Sequence, residues 1–105
     1  MKNIKPLPLL IRADGTKETL LPKNGKTFTL EELQKAVGGR IEIFEARDRR
    51  SLICYEESKL DGQPINEAAT KLWKYGSLNP GDWALHTHDF IAGDVLVAHL
   101  SWMND

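Results

Sequence analysis

Near the end of the chain, Val95-Leu96-Val97-Ala98 puts an apolar side chain at every position, and Leu100 and Trp102 continue the run to residue 102. Successive side chains of a strand point to opposite faces of a sheet, so a run that is apolar on both parities must be covered from both sides. This predicts a strand over residues 94–102 in the middle of a sheet, with the rest of the chain supplying its neighbours and its covers. A chain of 105 residues has the usual size for one hydrophobic core, and a single domain over residues 1–105 is expected.

The neighbours can be read in order. Residues 7–13 bear Leu9, Leu10 and Ile11 behind Pro6 and Pro8; proline cannot donate to a ladder, which suits an edge strand. Asp14-Gly15 supplies the positive φ of a tight hairpin into residues 17–21. After Asn24-Gly25, Thr29 and Glu32 stand at capping-box spacing and Phe28 can staple onto Leu33. A helix of about nine residues follows, with Leu30, Leu33 and Val37 on one face and a left-handed exit at Gly38-Gly39.

Residues 40–46 and 51–55 are strand-like runs joined by Arg47-Asp48-Arg49-Arg50, a connection of hairpin length, and should pair antiparallel. Asp61-Gly62-Gln63-Pro64 turns the chain, and Asn66 is placed to cap a second helix. That helix runs to about Tyr75, with Ala69, Leu72 and Trp73 inward, Glu67 and Lys71 as an i,i+4 pair, and Gly76 at its end. Around Asn79-Pro80-Gly81-Asp82 periodicity is lost, so residues 77–89 read as a loop. The expected architecture is α+β: a mainly antiparallel sheet of about five strands, two short helices on one face, and the order ββαββαβ.

Composition narrows the function classes. Lys+Arg number 14 against 15 Asp+Glu, a net charge of −1, so no overall field draws the chain onto a phosphate backbone and nucleic acid is not an expected partner. The single Cys54 has no partner for an internal disulfide. Apolar runs are too short to span a bilayer, and Pro6 and Pro8 interrupt the one near the N-terminus. The expected location is therefore the cytoplasm, without membrane association.

Four segments carry a resemblance: Leu33-Gln34-Lys35-Ala36-Val37-Gly38-Gly39-Arg40-Ile41-Glu42, Glu56-Glu57-Ser58-Lys59-Leu60, Pro64-Ile65-Asn66-Glu67-Ala68-Ala69-Thr70 and Ile91-Ala92-Gly93-Asp94-Val95-Leu96-Val97. Over residues 29–98 the chain resembles a small family of unknown function found in bacteriophage, plasmid and other mobile-element genes. That family commonly has asparagine where Tyr55 stands and glycine where Ser58 stands, and a shorter segment in place of residues 77–90. The resemblance implies a bacterial host cell and a small protein that acts by binding.

Several groups are candidates for chemistry. His86-Thr87-His88-Asp89 has metal-ligand character, but a tight zinc site needs three or four converging ligands, so His86 and His88 alone leave no metal or other cofactor expected. His99-Leu100-Ser101 matches half of the paired signature of small phosphodiesterases; the other half is missing, and a half-buried strand histidine is the plainer reading. Glu56, Glu57 and Lys59 follow a strand and open a turn, where a rigid scaffold commonly presents recognition residues. Arg47, Arg49 and Arg50 crowd a hairpin tip and suit phosphate or an acidic surface. Cys54 belongs in the core, and no catalytic set is complete. Trp83 in the loop and Trp102 near the chain end are large aromatics less easily hidden than Trp73, and Trp83 is the candidate contact for a partner or ligand, against folding back onto its own domain.

The expected function is thus a non-enzymatic phage or mobile-element accessory protein that binds and occupies a host component, such as a defence or regulatory factor. Its expected site residues are Trp83, Lys59, Glu57, Glu56, Arg47, Arg49 and Arg50, in a homodimer paired through an edge strand. Two alternatives stand beside it: a sponge that sequesters a nucleotide-like messenger, and a small metal-dependent hydrolase built on His86 and His88.

Overall fold

The computed structural model describes residues 6–46, 50–75 and 90–103. In chain order its elements are β1 (Leu9–Ile11), β2 (Lys17–Thr19), α1 (Leu30–Val37), β3 (Ile41–Glu45), β4 (Ser51–Tyr55), α2 (Glu67–Tyr75), β5 (Val95–Ala98) and a 3-10 turn over Leu100–Trp102. The strands form one sheet in the order β2-β1-β5-β4-β3, and every pairing is antiparallel. The order ββαββαβ is therefore the one the sequence predicts.

β5 lies in the middle of the sheet with all its residues buried, as its two-sided apolar pattern demands. It stops well short of residue 102. The ring of His99 accepts the Ser101 N–H at 3.2 Å and caps the 3-10 turn, which takes the chain out of the ladder. Nor is β1 an edge, as its prolines suggested: it pairs with β2 on one side and β5 on the other. Pro8 sits just outside the strand, where its carbonyl takes the Leu20 N–H at 3.2 Å and its ring nitrogen cannot return the bond, so the ladder to β2 loses one bond at its end.

Strand alternation separates two cores. Leu10, Ile53, Leu96 and Ala98 face one way and pack with Leu33 and Val37 of α1, together with Phe28 and Trp102. Ile11, Leu52, Cys54, Val95 and Val97 face the other way, where Ala69 of α2 joins them and Leu72 and Trp73 pack alongside. The helices thus cover opposite faces, which corrects the expectation of both on one. A single helical layer would leave Val95 and Val97 in water, and burying a side chain of that size is worth roughly 1.5–3 kcal/mol.

At the start of α1, Thr29 Oγ1 accepts the Glu32 N–H at 3.1 Å and Glu32 Oε1 accepts the Thr29 N–H at 2.8 Å. Gly38, at φ 100°, closes the helix by donating to Gln34 O. Leu30, at the first helical position, stays 58 % exposed, so the buried stripe is Leu33 and Val37. Trp102, near the chain end, is nonetheless hidden: it is buried, with its indole N–H donated to the Pro6 carbonyl at 2.6 Å, which satisfies the one polar atom that would otherwise keep it near water.

A candidate recognition groove beside the turn after β4

Residues 56–63 fold into a compact turn held by its own backbone. Ser58 N–H donates to Tyr55 O at 3.1 Å, Asp61 N–H to Glu57 O at 2.9 Å and Gln63 N–H to Ser58 O at 3.0 Å. The turn buries Ser58 and holds Lys59 outward, with its Nζ 4.8 Å from the centre of the Phe90 ring. A cation over an aromatic face is attracted by the ring quadrupole, by about 0.5–1 kcal/mol at an exposed site. Opposite, Glu42 pairs with Cys54 and Phe44 with Leu52, so both β3 side chains share the α2 face of the sheet. The Trp73 ring, 5.1 Å from that of Phe44 and tilted by 45°, supports Phe44 from α2.

Between these elements lies a groove of about 220 Å³. Cys54, Ser58, Ile91 and Ala92 form its buried floor, Phe44 and Phe90 its half-buried walls, and Glu42, Glu56 and Lys59 its exposed rim. The floor is tied to α2 through Thr70, whose hydroxyl accepts the Ile91 N–H at 2.9 Å and donates to Asn66 O at 2.8 Å. Behind it Gly93 sits at φ 81°, a left-handed conformation that a residue with a side chain adopts only under strain.

Electrostatically the floor is neutral. Burial, reinforced by the Glu42 carboxylate, pushes the Cys54 thiol up to about 12 against a smaller opposing effect of Lys59, so it is protonated at neutral pH and is no nucleophile. A hydrogen bond to Asp61, followed by burial and nearby carboxylates, raises the Tyr55 phenol. Glu56 pairs with Arg40 at 3.3 Å in the open, an ion pair worth little in water.

Of the expected site residues, Lys59 and Glu56 line the groove, while Glu57 is exposed on the same turn and is not part of the lining. Arg50 sits elsewhere, in a shallow depression with Lys17, Lys71 and Leu72. Arg47, Arg49, Trp83, His86 and His88 lie outside the described residues. His99 is exposed as a cap, with its Nδ1 also 3.0 Å from Ser101 Oγ, instead of half-buried in a strand. Among the described residues no group of three or more His, Cys, Asp or Glu is placed to hold a metal ion, and no helix is long and apolar enough to cross a membrane. The sequence reading missed Glu42, Phe44 and Phe90. The alternation through residues 41–45 carried a signal for the first two, since it puts both on the face of Cys54.

The protein is thus a small α+β domain with helices on both faces of an antiparallel sheet and a polar, aromatic-walled groove at one end. It belongs to the family described as a domain of unknown function, DUF3846, whose model matches residues 9–102. Searches of the curated proteins and of the solved structures found no match.

Proposed function

We propose that this domain is a non-enzymatic binding module, carried by a phage or other mobile element, that works in the bacterial cytoplasm by occupying a host protein such as a defence or regulatory factor. The observation that carries the reading is the groove itself: Lys59 poised over Phe90, facing Glu42 and Phe44, above a floor whose only thiol is held protonated. Fixed charges of both signs beside aromatic walls suit a protein side chain with an apolar stem and a polar tip.

Size and charge favour a protein over a nucleotide-like messenger. The groove's 220 Å³ falls below the roughly 300–1,000 Å³ of small-molecule pockets. Glu42 and Glu56 on its rim also oppose a phosphate, against which the described lining sets the single cation Lys59.

The test is affinity capture from host lysate with the wild type, Lys59→Glu and Phe44→Ala, and with Lys35→Glu on the α1 face as a control for surface charge. Both groove variants should lower recovery of the same host protein at least tenfold, and Lys35→Glu should leave it unchanged. Equal recovery by all four proteins would remove the groove from the function. A rise in melting temperature with cyclic nucleotides or ADP-ribose derivatives would replace the protein partner with a sequestered messenger.

A further inference from the structure

We propose that β3 is the seam of a homodimer, two copies pairing antiparallel about a two-fold axis at Ile43, so that each copy sets its Phe44 beside the other's groove. The inference stands on the sheet edge and does not depend on what the groove binds.

The backbone fixes which groups face outward. Ala46 N–H donates to Arg50 O at 2.8 Å and Glu56 N–H donates to Arg40 O at 2.7 Å. Hydrogen-bonded pairs recur at every second residue of an antiparallel ladder. The even-numbered residues of this strand therefore bond inward to β4, and Ile41, Ile43 and Glu45 turn their N–H and C=O groups outward. Among the described residues no strand pairs with that side. Placing the two-fold at Ile43 sets Ile43 against its own mate and Ile41 against Glu45 of the second copy, and forms about six backbone hydrogen bonds.

Side chains and charges select the same register. Ile43, 52 % exposed in one copy, meets Ile43 of the other, with Ile41 of each copy on the diagonal. Glu45 stands opposite Ile41 and Glu42 opposite Phe44, so no carboxylate directly faces another. Moving the axis to Glu42 sets two carboxylates face to face, and moving it to Phe44 leaves the outward groups of Ile41 without a partner inside the strand. The other sheet edge is unlike this one: β2 is three residues long and all exposed, with Lys17 and Glu18 along it, the pattern that discourages edge pairing.

Glu42 and Phe44 both line the groove. In the dimer the second copy's Phe44 stands across from Glu42, and the two grooves meet over the axis on the α2 face. A seam of one strand pair and four isoleucines lies below the roughly 1,200 Å² of standard interfaces, so the dimer should come apart on dilution.

Sedimentation over a concentration series tests the association, and cysteine cross-linking tests the register. Across a hydrogen-bonded pair the two Cα atoms lie about 5.5 Å apart, within disulfide reach, whereas residue 45 would stand about 14 Å from its own mate. Under mild oxidant Ile43→Cys should cross-link at least tenfold faster than Glu45→Cys, the native Cys54 being buried. The wild type should pass from one chain to two as concentration rises. Ile43→Lys, which sets two ammonium groups against each other at an exposed position, should stay monomeric with an unchanged circular dichroism spectrum. A wild type that stays monomeric throughout, or equal cross-linking of the two cysteine variants, overturns the proposal.

Discussion

The side-chain nitrogen of Asn66 donates to the backbone carbonyl of Ile11 at 2.9 Å, tying the cap of α2 to a strand 55 positions earlier. The same nitrogen donates to Gly93 O at 2.8 Å, and Asn66 Oδ1 accepts the Ala69 N–H at 3.0 Å. The residue is 0 % exposed, so water cannot replace these bonds. Asn66→Ala strands two carbonyls and removes a helix cap, and should cost about 2–4 kcal/mol in urea unfolding.

Asn66→Asp separates geometry from size. A carboxylate there turns lone pairs toward two carbonyls, so folding raises the pKa of the introduced aspartate above its unfolded value. The loss relative to wild type should be smallest below the unfolded pKa, near 4, and should grow as pH rises through the folded pKa. Unfolding at about pH 3 and pH 7 checks this, and a deficit independent of pH would show that Asn66 acts by shape alone.

A second contact sits at the exit of α1. A Cβ on Gly39 would stand 2.5 Å from Tyr55 Cε1 and 2.9 Å from Cδ1, so Gly39→Ala must move a ring that bonds to Asp61 through its hydroxyl. Overpacking of this kind costs about 1–3 kcal/mol. In a Tyr55→Asn background, which removes the ring, most of that penalty should vanish. A double-mutant cycle with no coupling would mean that the backbone, and not the ring, refuses the methyl group.

What the sequence disclosed, and what it did not, follows from the range of each interaction. The capping box of Thr29 and Glu32, the Gly38 exit and the Asn66 cap are local, and side chains three to five residues apart announce them. The central place of β5 was legible because burial on both parities admits few alternatives. Assigning both helices to one face conflicted with that same pattern, and covering Val95 and Val97 required α2 on the far side. The groove was harder to see, because Glu42, Lys59 and Phe90 meet only after the turn and two strands are in register. Phe90 in particular carries no local mark of its role.

Cys54 gives a prediction about reactivity. With Cys54 2 % exposed and its thiol pushed up to about 12 by burial and then by Glu42, it should resist iodoacetamide in the native state at pH 8 and react at the rate of a free thiol in denaturant. Glu42→Gln removes one of the two causes but leaves burial, so native reactivity should stay low. Rapid native labelling of the wild type would show that the groove floor opens to solvent.

Two carboxylates should shape the acid limb of stability. Hydrogen bonds from the Thr29 and Lys23 backbone hold the Glu32 carboxyl below its usual range, and bonds from the Thr16 N–H and hydroxyl do the same for Asp14. A carboxylate whose pKa is depressed by folding stabilises the native state above its unfolded pKa, and that contribution is lost as pH falls through the folded value. Glu32→Gln, which does not titrate, should therefore be less stable than wild type near neutrality, and the gap should narrow steadily below about pH 4. Asp14→Asn should behave alike, and the double variant should show a shallower acid limb than either. Urea midpoints across the acid range measure the gap. If it stays constant down to about pH 2.5, these bonds do not favour the ionised forms.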